Sequence, residues 1–146
     1  VLLLVKYIYM SLNISEEYKA LNVISPISIT ADLLSAAVSV EEFTGDGMAM
    51  IQIGVISGTD TTIDVTVKSS ATSGGTYATI GTFTQVATDD DGKIAAIPVD
   101  LSGSASKFVK FNFDVTGTDT PTAVIGATLL ARVERAEAGV NSATVA

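Results

Sequence analysis

The stretch KFVKFNFDVTGTDTPTAVIGATLLARV, residues 107–133, decides the fold. Its opening ten residues alternate. Val109, Phe111, Phe113 and Val115 share one face, and Lys110, Asn112, Asp114 and Thr116 share the other. Successive side chains of a strand point to opposite sides of a sheet, so a period of two predicts a half-buried strand over Lys107–Thr116. Gly117–Pro121 reads as a turn closed by proline, and the largely apolar run Ala123–Val133 as a central strand.

The same signals recur upstream. Met48–Ile56 is apolar at nearly every position and reads as another central strand. Gly58–Asp60 reads as a turn. Thr62–Lys68 alternates again, with Ile63, Val65 and Val67 inward and Asp64, Thr66 and Lys68 outward. A loop of small residues, Ser69–Thr76, separates it from a strand over Tyr77–Ala87, its expected neighbour. Asp89-Asp90-Asp91-Gly92 is an acidic turn before Ile94–Leu101, where Ile97, Val99 and Leu101 share a face. Ile24–Thr30 alternates around Pro26, which suits an edge strand because proline donates no ladder hydrogen bond. Val38–Phe43 reads as a short strand running into the turn cluster Thr44–Gly47. Ala31–Ala37 and residues 10–22 are the two places where a helical turn is expected, the second with a loose arm as the alternative.

Short strands separated by Gly/Ser/Thr/Asp turns predict an all-β chain: an antiparallel two-sheet β-sandwich, jelly-roll-like, with extended N- and C-terminal arms. The expected organisation is an N-terminal arm over 1–22, a β-sandwich domain over 23–133 and a C-terminal tail over 134–146. The tail loses the period of two, which fits a mobile terminus or a second arm. The first ten residues, VLLLVKYIYM, fit either an upstream extension before Met10 or an arm packing on a neighbouring subunit.

Composition narrows function. The chain of 146 residues carries a net charge of −8 without any Lys/Arg cluster, so no direct nucleic-acid contact is expected. The apolar run Val1–Val5 is far too short to span a bilayer, and no membrane partner is expected. Only 16 % of residues are charged against 47 % apolar, a lean surface that fits either a Thr/Ser-rich exterior or burial against other protein. There is no histidine, cysteine or tryptophan. That removes the Ser-His-Asp triad, thiol catalysis, disulfides and cysteine-based zinc sites, and weakens a sugar-stacking reading.

The remaining candidates are weak. Glu41 and Glu42 are adjacent, and in a strand they would face opposite ways, whereas glycosidase chemistry needs both carboxyls on one sugar. An EF-hand counted from Gly92 would begin at Ala87 and end at Pro98, neither of them a ligand. Gly45-Asp46-Gly47 and Gly74-Gly75 precede strands, whereas a phosphate cradle needs a helix N-terminus. No residue is therefore assigned as catalytic, cofactor-binding or metal-ligating, and no enzyme activity is expected. Lys107, Phe108 and Lys110 remain as either a partner contact or a single exposed aromatic.

Between Met48 and Val133 the order of segments resembles the capsid cement, or decoration, proteins of tailed bacteriophages. The resemblance runs through Met48–Ile56, Ile63–Lys68, Ser73-Gly74-Gly75-Thr76-Tyr77-Ala78-Thr79-Ile80 and Val99-Asp100-Leu101-Ser102. It continues through Lys107-Phe108-Val109-Lys110-Phe111, an aromatic between basic residues, and Val115–Pro121 before the last apolar strand. It implies a non-enzymatic virion protein on the outer capsid surface. Such a protein binds the major capsid protein, bridges neighbouring subunits and sits on the shell as a homo-oligomer, a dimer or a trimer. The alternative is a β-sandwich binding module of a phage tail, fibre or cell surface.

Overall fold

The computed structural model describes residues 18–103 and 106–133, so the expectations for residues 1–17 and for the tail at 134–146 lie outside the described residues. The strands are β1 (Tyr18–Ile29), β2 (Leu33–Leu34), β3 (Val38–Ser39), β4 (Phe43–Ser70), β5 (Ala78–Thr82), β6 (Val86–Ala87), β7 (Ile94–Asp100) and β8 (Phe108–Val133). One 3-10 turn, Thr88–Asp90, follows β6. Every strand pairing is antiparallel.

The long strands β4 and β8, of 28 and 26 residues, run together from Phe43↔Val133 to Ser70↔Phe108. This corrects the two turns expected at Gly58–Asp60 and Gly117–Pro121. Neither segment reverses the chain. They lie opposite each other and form a corner, across which the ladder slips and then resumes at Thr62↔Thr116. Positive φ at Gly58 (106°), Asp60 (54°), Asp119 (57°) and Thr120 (55°) supplies the bend. The Thr61 hydroxyl donates to the Ser57 carbonyl at 3.0 Å, and the Thr59 hydroxyl to Asp119 at 3.1 Å, which ties the corner together.

The corner divides the ribbon into two halves. In the first, residues 43–56 of β4 and 123–133 of β8 are flanked by β1 on the β8 side and β7 on the β4 side. In the second, residues 62–70 and 108–116 are flanked by β2 and β3 on one side and β5 and β6 on the other. The hydrogen bonding is therefore one continuous sheet of eight strands rather than two separate ones. Its halves feed one core. Ala49, Ile51, Ile53, Ile125, Ala127 and Leu129 come from the first half, and Ile63, Val65, Val67, Val109, Phe111 and Phe113 from the second. Burying each large apolar side chain stabilises the fold by about 1.5–3 kcal/mol, which is why both halves present their odd-numbered face inward. The layers meet closely at Gly81 of β5, where a Cβ would stand 2.8 Å from the Ile97 side chain of β7.

Four local readings change. Tyr18–Asn22 belongs to β1 and pairs with Thr128–Arg132, so the sheet begins inside the segment expected to be an arm. Ala31–Ala37 makes no helical turn. Its Ala/Leu composition favours helix locally, but β2 pairs with β8, Ser35 exchanges bonds with Phe111, and Asp32 accepts the Val115 N–H at 2.8 Å. The Thr44–Gly47 cluster is a bulge at the start of β4, with Gly45 at φ 72° and its carbonyl accepting Leu101 N–H. The strand expected over Tyr77–Ala87 breaks into β5 and β6, with Phe83 turned into the core between them. β5 pairs with β4 as expected, and Pro26 sits at a bulge of the edge strand β1.

Candidate interaction surface

The even-numbered face of each half points outward, and the two faces differ. On the first half, the register sets three rows side by side. One is Ala20, Leu130, Met48 and Pro98; the next is Asn22, Thr128, Met50 and Ala96; the last is Gly126, Gln52 and Ile94. None of these residues is charged. Exposure is high where a monomer would ordinarily cover apolar area: Ile94 is 68 % exposed, Met48 43 %, Tyr18 42 % and Val124 37 %. Two open depressions lie on this face, one of about 290 Å³ beside Lys93, Ile94, Val124 and Gly126, the other of about 420 Å³ beside Tyr18, Asp46, Met48 and Leu130. These uncharged rows set exposed Met48 and Ile94 and half-buried Met50 and Leu130 among polar Asn22, Thr128 and Gln52, with Asp46, Asp100 and Arg132 at their border. Exposed apolar side chains grouped inside a polar rim mark protein contacts.

The outer face of the second half is polar. Asp64 stands opposite Asp114, Thr66 opposite Asn112 and Lys68 opposite Lys110. Phe108 is half-buried at its end, paired with Ser39 and Ser70. The two lysines that flank Phe108 have other neighbours. Lys110 Nζ sits 4.5 Å above the centre of the Tyr77 ring, and Lys107 lies 3.6 Å from Glu41.

The acidic candidates are engaged in local structure. Glu41 and Glu42 occupy a turn, with Glu42 accepting from Lys19 at 2.8 Å. In the acidic turn, Lys93 donates to Asp90 at 2.7 Å, and the Ala87 N–H to the other Asp90 oxygen at 2.9 Å. These bonds hold the Asp90 carboxyl below its ordinary value, and Asp90 in return raises Lys93. Asp91 accepts the Ile56 N–H at 2.8 Å, so this turn fastens the far end of the first half. Asp100 is held low by the hydroxyl and N–H of Ser102. Among the described residues no group of three or more acidic side chains is arranged to hold a metal ion. Sequence reasoning missed the apolar face. Its signal was present in Met48, Met50 and Ile94, but apolarity on both sides of Met48–Ile56 read as burial on both sides.

No protein-family model matches the chain, and no curated protein matches it. Solved structures do. The VP2 subviral particle of infectious bursal disease virus superposes with a TM-score of 0.52 at 10 % identity, over 80 % of this chain and 32 % of that one. The K3 cleaved adhesin domain of Lys-gingipain from Porphyromonas gingivalis gives a TM-score of 0.45 at 13 % identity, over 68 % and 63 % of the two chains. The SPBc2 prophage-derived protein YomS gives 0.41 at 12 %, over 77 % and 93 %. The chain thus spans about a third of VP2 and under two thirds of the adhesin domain. The VP2 likeness is one of fold alone, and the class it defines is an all-β antiparallel module.

Proposed function

We propose that this protein is a structural component of a phage virion that binds the outside of the capsid and bridges major capsid protein subunits. The observation that carries this reading is the run of uncharged rows on the outer face of the first half, where Met48 and Ile94 are exposed and Met50 and Leu130 half-buried, bordered at one end by Asp46, Asp100 and Arg132. Such a face costs solubility in a free monomer and is stabilised by burial against another protein, at about 25 cal/mol per Å² of apolar area covered. The VP2 fold likeness and the segment order shared with cement proteins support the same reading.

The aromatic inventory weighs against the tail, fibre or cell-surface binding module. Phe43, Phe83, Phe111 and Phe113 are in the core, and Lys110 covers Tyr77. Among the described residues Tyr18 alone is an exposed large aromatic, too little for a stacking platform for sugars. The test is co-sedimentation with heads of the parent phage stripped of the protein, beside unassembled major capsid protein. Saturable binding to heads, with weak binding to loose subunits, supports the proposal. Equal binding to both, or to neither, overturns it.

A further inference from the structure

The outer face of the second half carries charges that no salt bridge among the described residues offsets, with the Lys110 ammonium lying over the Tyr77 ring. Like charges stand directly opposite each other twice, Asp64 against Asp114 and Lys68 against Lys110. Such pairs destabilise a sheet. None of the four belongs to a salt bridge among the described residues. The Asp64 carboxylate takes two bonds from the Gln85 amide, and Asp114 one from Asn112, which orient the acids without neutralising them. Between the acid pair and the lysine pair runs an uncharged row: Leu34, Asn112, Thr66 and Thr82. Leu34 in that row is 54 % exposed. The acid and lysine rows lie roughly 13 Å apart, four residues along a strand at ~3.3 Å each.

We infer that this face pairs with the same face of a second copy of the chain, across a two-fold axis lying in the interface along the Leu34–Thr82 row. The charge pattern fixes the axis. Rotation about that row reverses the strand direction and leaves each strand over itself. Asp64 then faces Lys68 of the second copy, and Asp114 faces its Lys110, each contact occurring twice. Rotation about the strand direction would instead stack the acid pair on an acid pair. Only the first arrangement is self-complementary, as an isologous interface must be. Leu34 lies on the axis row and meets its own counterpart. The apolar outer face of the first half stays free on the opposite side of the molecule. Exposed ion pairs are individually weak and screened by salt, so the pairing is concentration- and salt-dependent. This inference stands independently of the capsid reading.

The test uses the full chain in analytical ultracentrifugation. The average mass should rise toward that of a dimer with concentration and fall when salt is added. Lys68→Asp/Lys110→Asp and Asp64→Lys/Asp114→Lys should each be monomeric alone, and an equimolar mixture of the two should form a heterodimer. Because the chain has no cysteine, Leu34→Cys should form a covalent dimer under mild oxidation much faster than Gly74→Cys in the exposed loop. This second readout holds even where a charge variant folds poorly. A protein that stays monomeric from micromolar to near-millimolar concentration, a mixture that stays monomeric, or Leu34→Cys crosslinking no faster than Gly74→Cys would overturn the inference.

Discussion

Replacing Gly58 by alanine tests the corner that turns one ribbon into two layers. Gly58 has φ +106°, a region that side chains of L-residues avoid at a cost of roughly 1–3 kcal/mol. The added Cβ would stand 2.9 Å from the Pro121 Cα and 2.6 Å from the Thr61 hydroxyl oxygen. The hydroxyl can rotate at the expense of its bond to Ser57, but the Pro121 contact is backbone on the facing strand and must shift. Overpacking of this kind costs about 1–3 kcal/mol. The expected destabilisation is about 3 kcal/mol, a substantial share of the ~5–15 kcal/mol that holds a typical domain folded. At ~2–4 °C per kcal/mol for a chain of this size, the melting temperature should fall by roughly 6–12 °C. Far-UV circular dichroism is the assay of choice, since the chain lacks tryptophan. Gly74→Ala is the control: nothing lies within 4 Å of its Cβ position, and its effect should stay within about 0.5 kcal/mol. If Gly58→Ala proved as mild as Gly74→Ala, the reasoning about the corner would be wrong.

Phe111→Ala empties a fully buried position of the shared core and should cost about 3–5 kcal/mol, read by urea denaturation. Thr66→Val should stabilise by about 1 kcal/mol in the same assay, because the Thr66 hydroxyl oxygen is buried without a hydrogen-bond partner. The lowered pKa of Asp90 means that its bonds to Lys93 and Ala87 contribute stability that is complete above the ordinary Asp value of about 4 and lost as pH falls through the folded value. NMR titration should place Asp90 below the ordinary Asp range, and Asp90→Asn should remove that part of the acid sensitivity.

Periodicity made the strands legible where one face is buried. Ile63, Val65 and Val67 point inward as their spacing demands, and so do Val109, Phe111 and Phe113. It failed where the tertiary environment overrides the local signal. Gly58–Asp60 and Gly117–Pro121 have turn composition, and each does bend the chain. Whether a bend becomes a hairpin or a corner depends on the strand opposite, which lies some sixty residues away in sequence. Leu33 and Leu34 have helical company but find an open edge of β8. The apolar outer face escaped notice for a related reason. Met48 and Ile94 look like core residues, and only their exposure among the described residues reveals them as surface. The opposed charges of Asp64 and Asp114 were equally invisible until the register paired them.

A cryo-electron-microscopy reconstruction of heads carrying this protein tests the capsid proposal most directly. It should show Met48, Met50 and Ile94 against the shell, spanning neighbouring major capsid subunits, with the Asp64–Lys68 face turned away from it. A reconstruction with the Met48–Ile94 face open to solvent, or with no density for the protein on the heads, would contradict it.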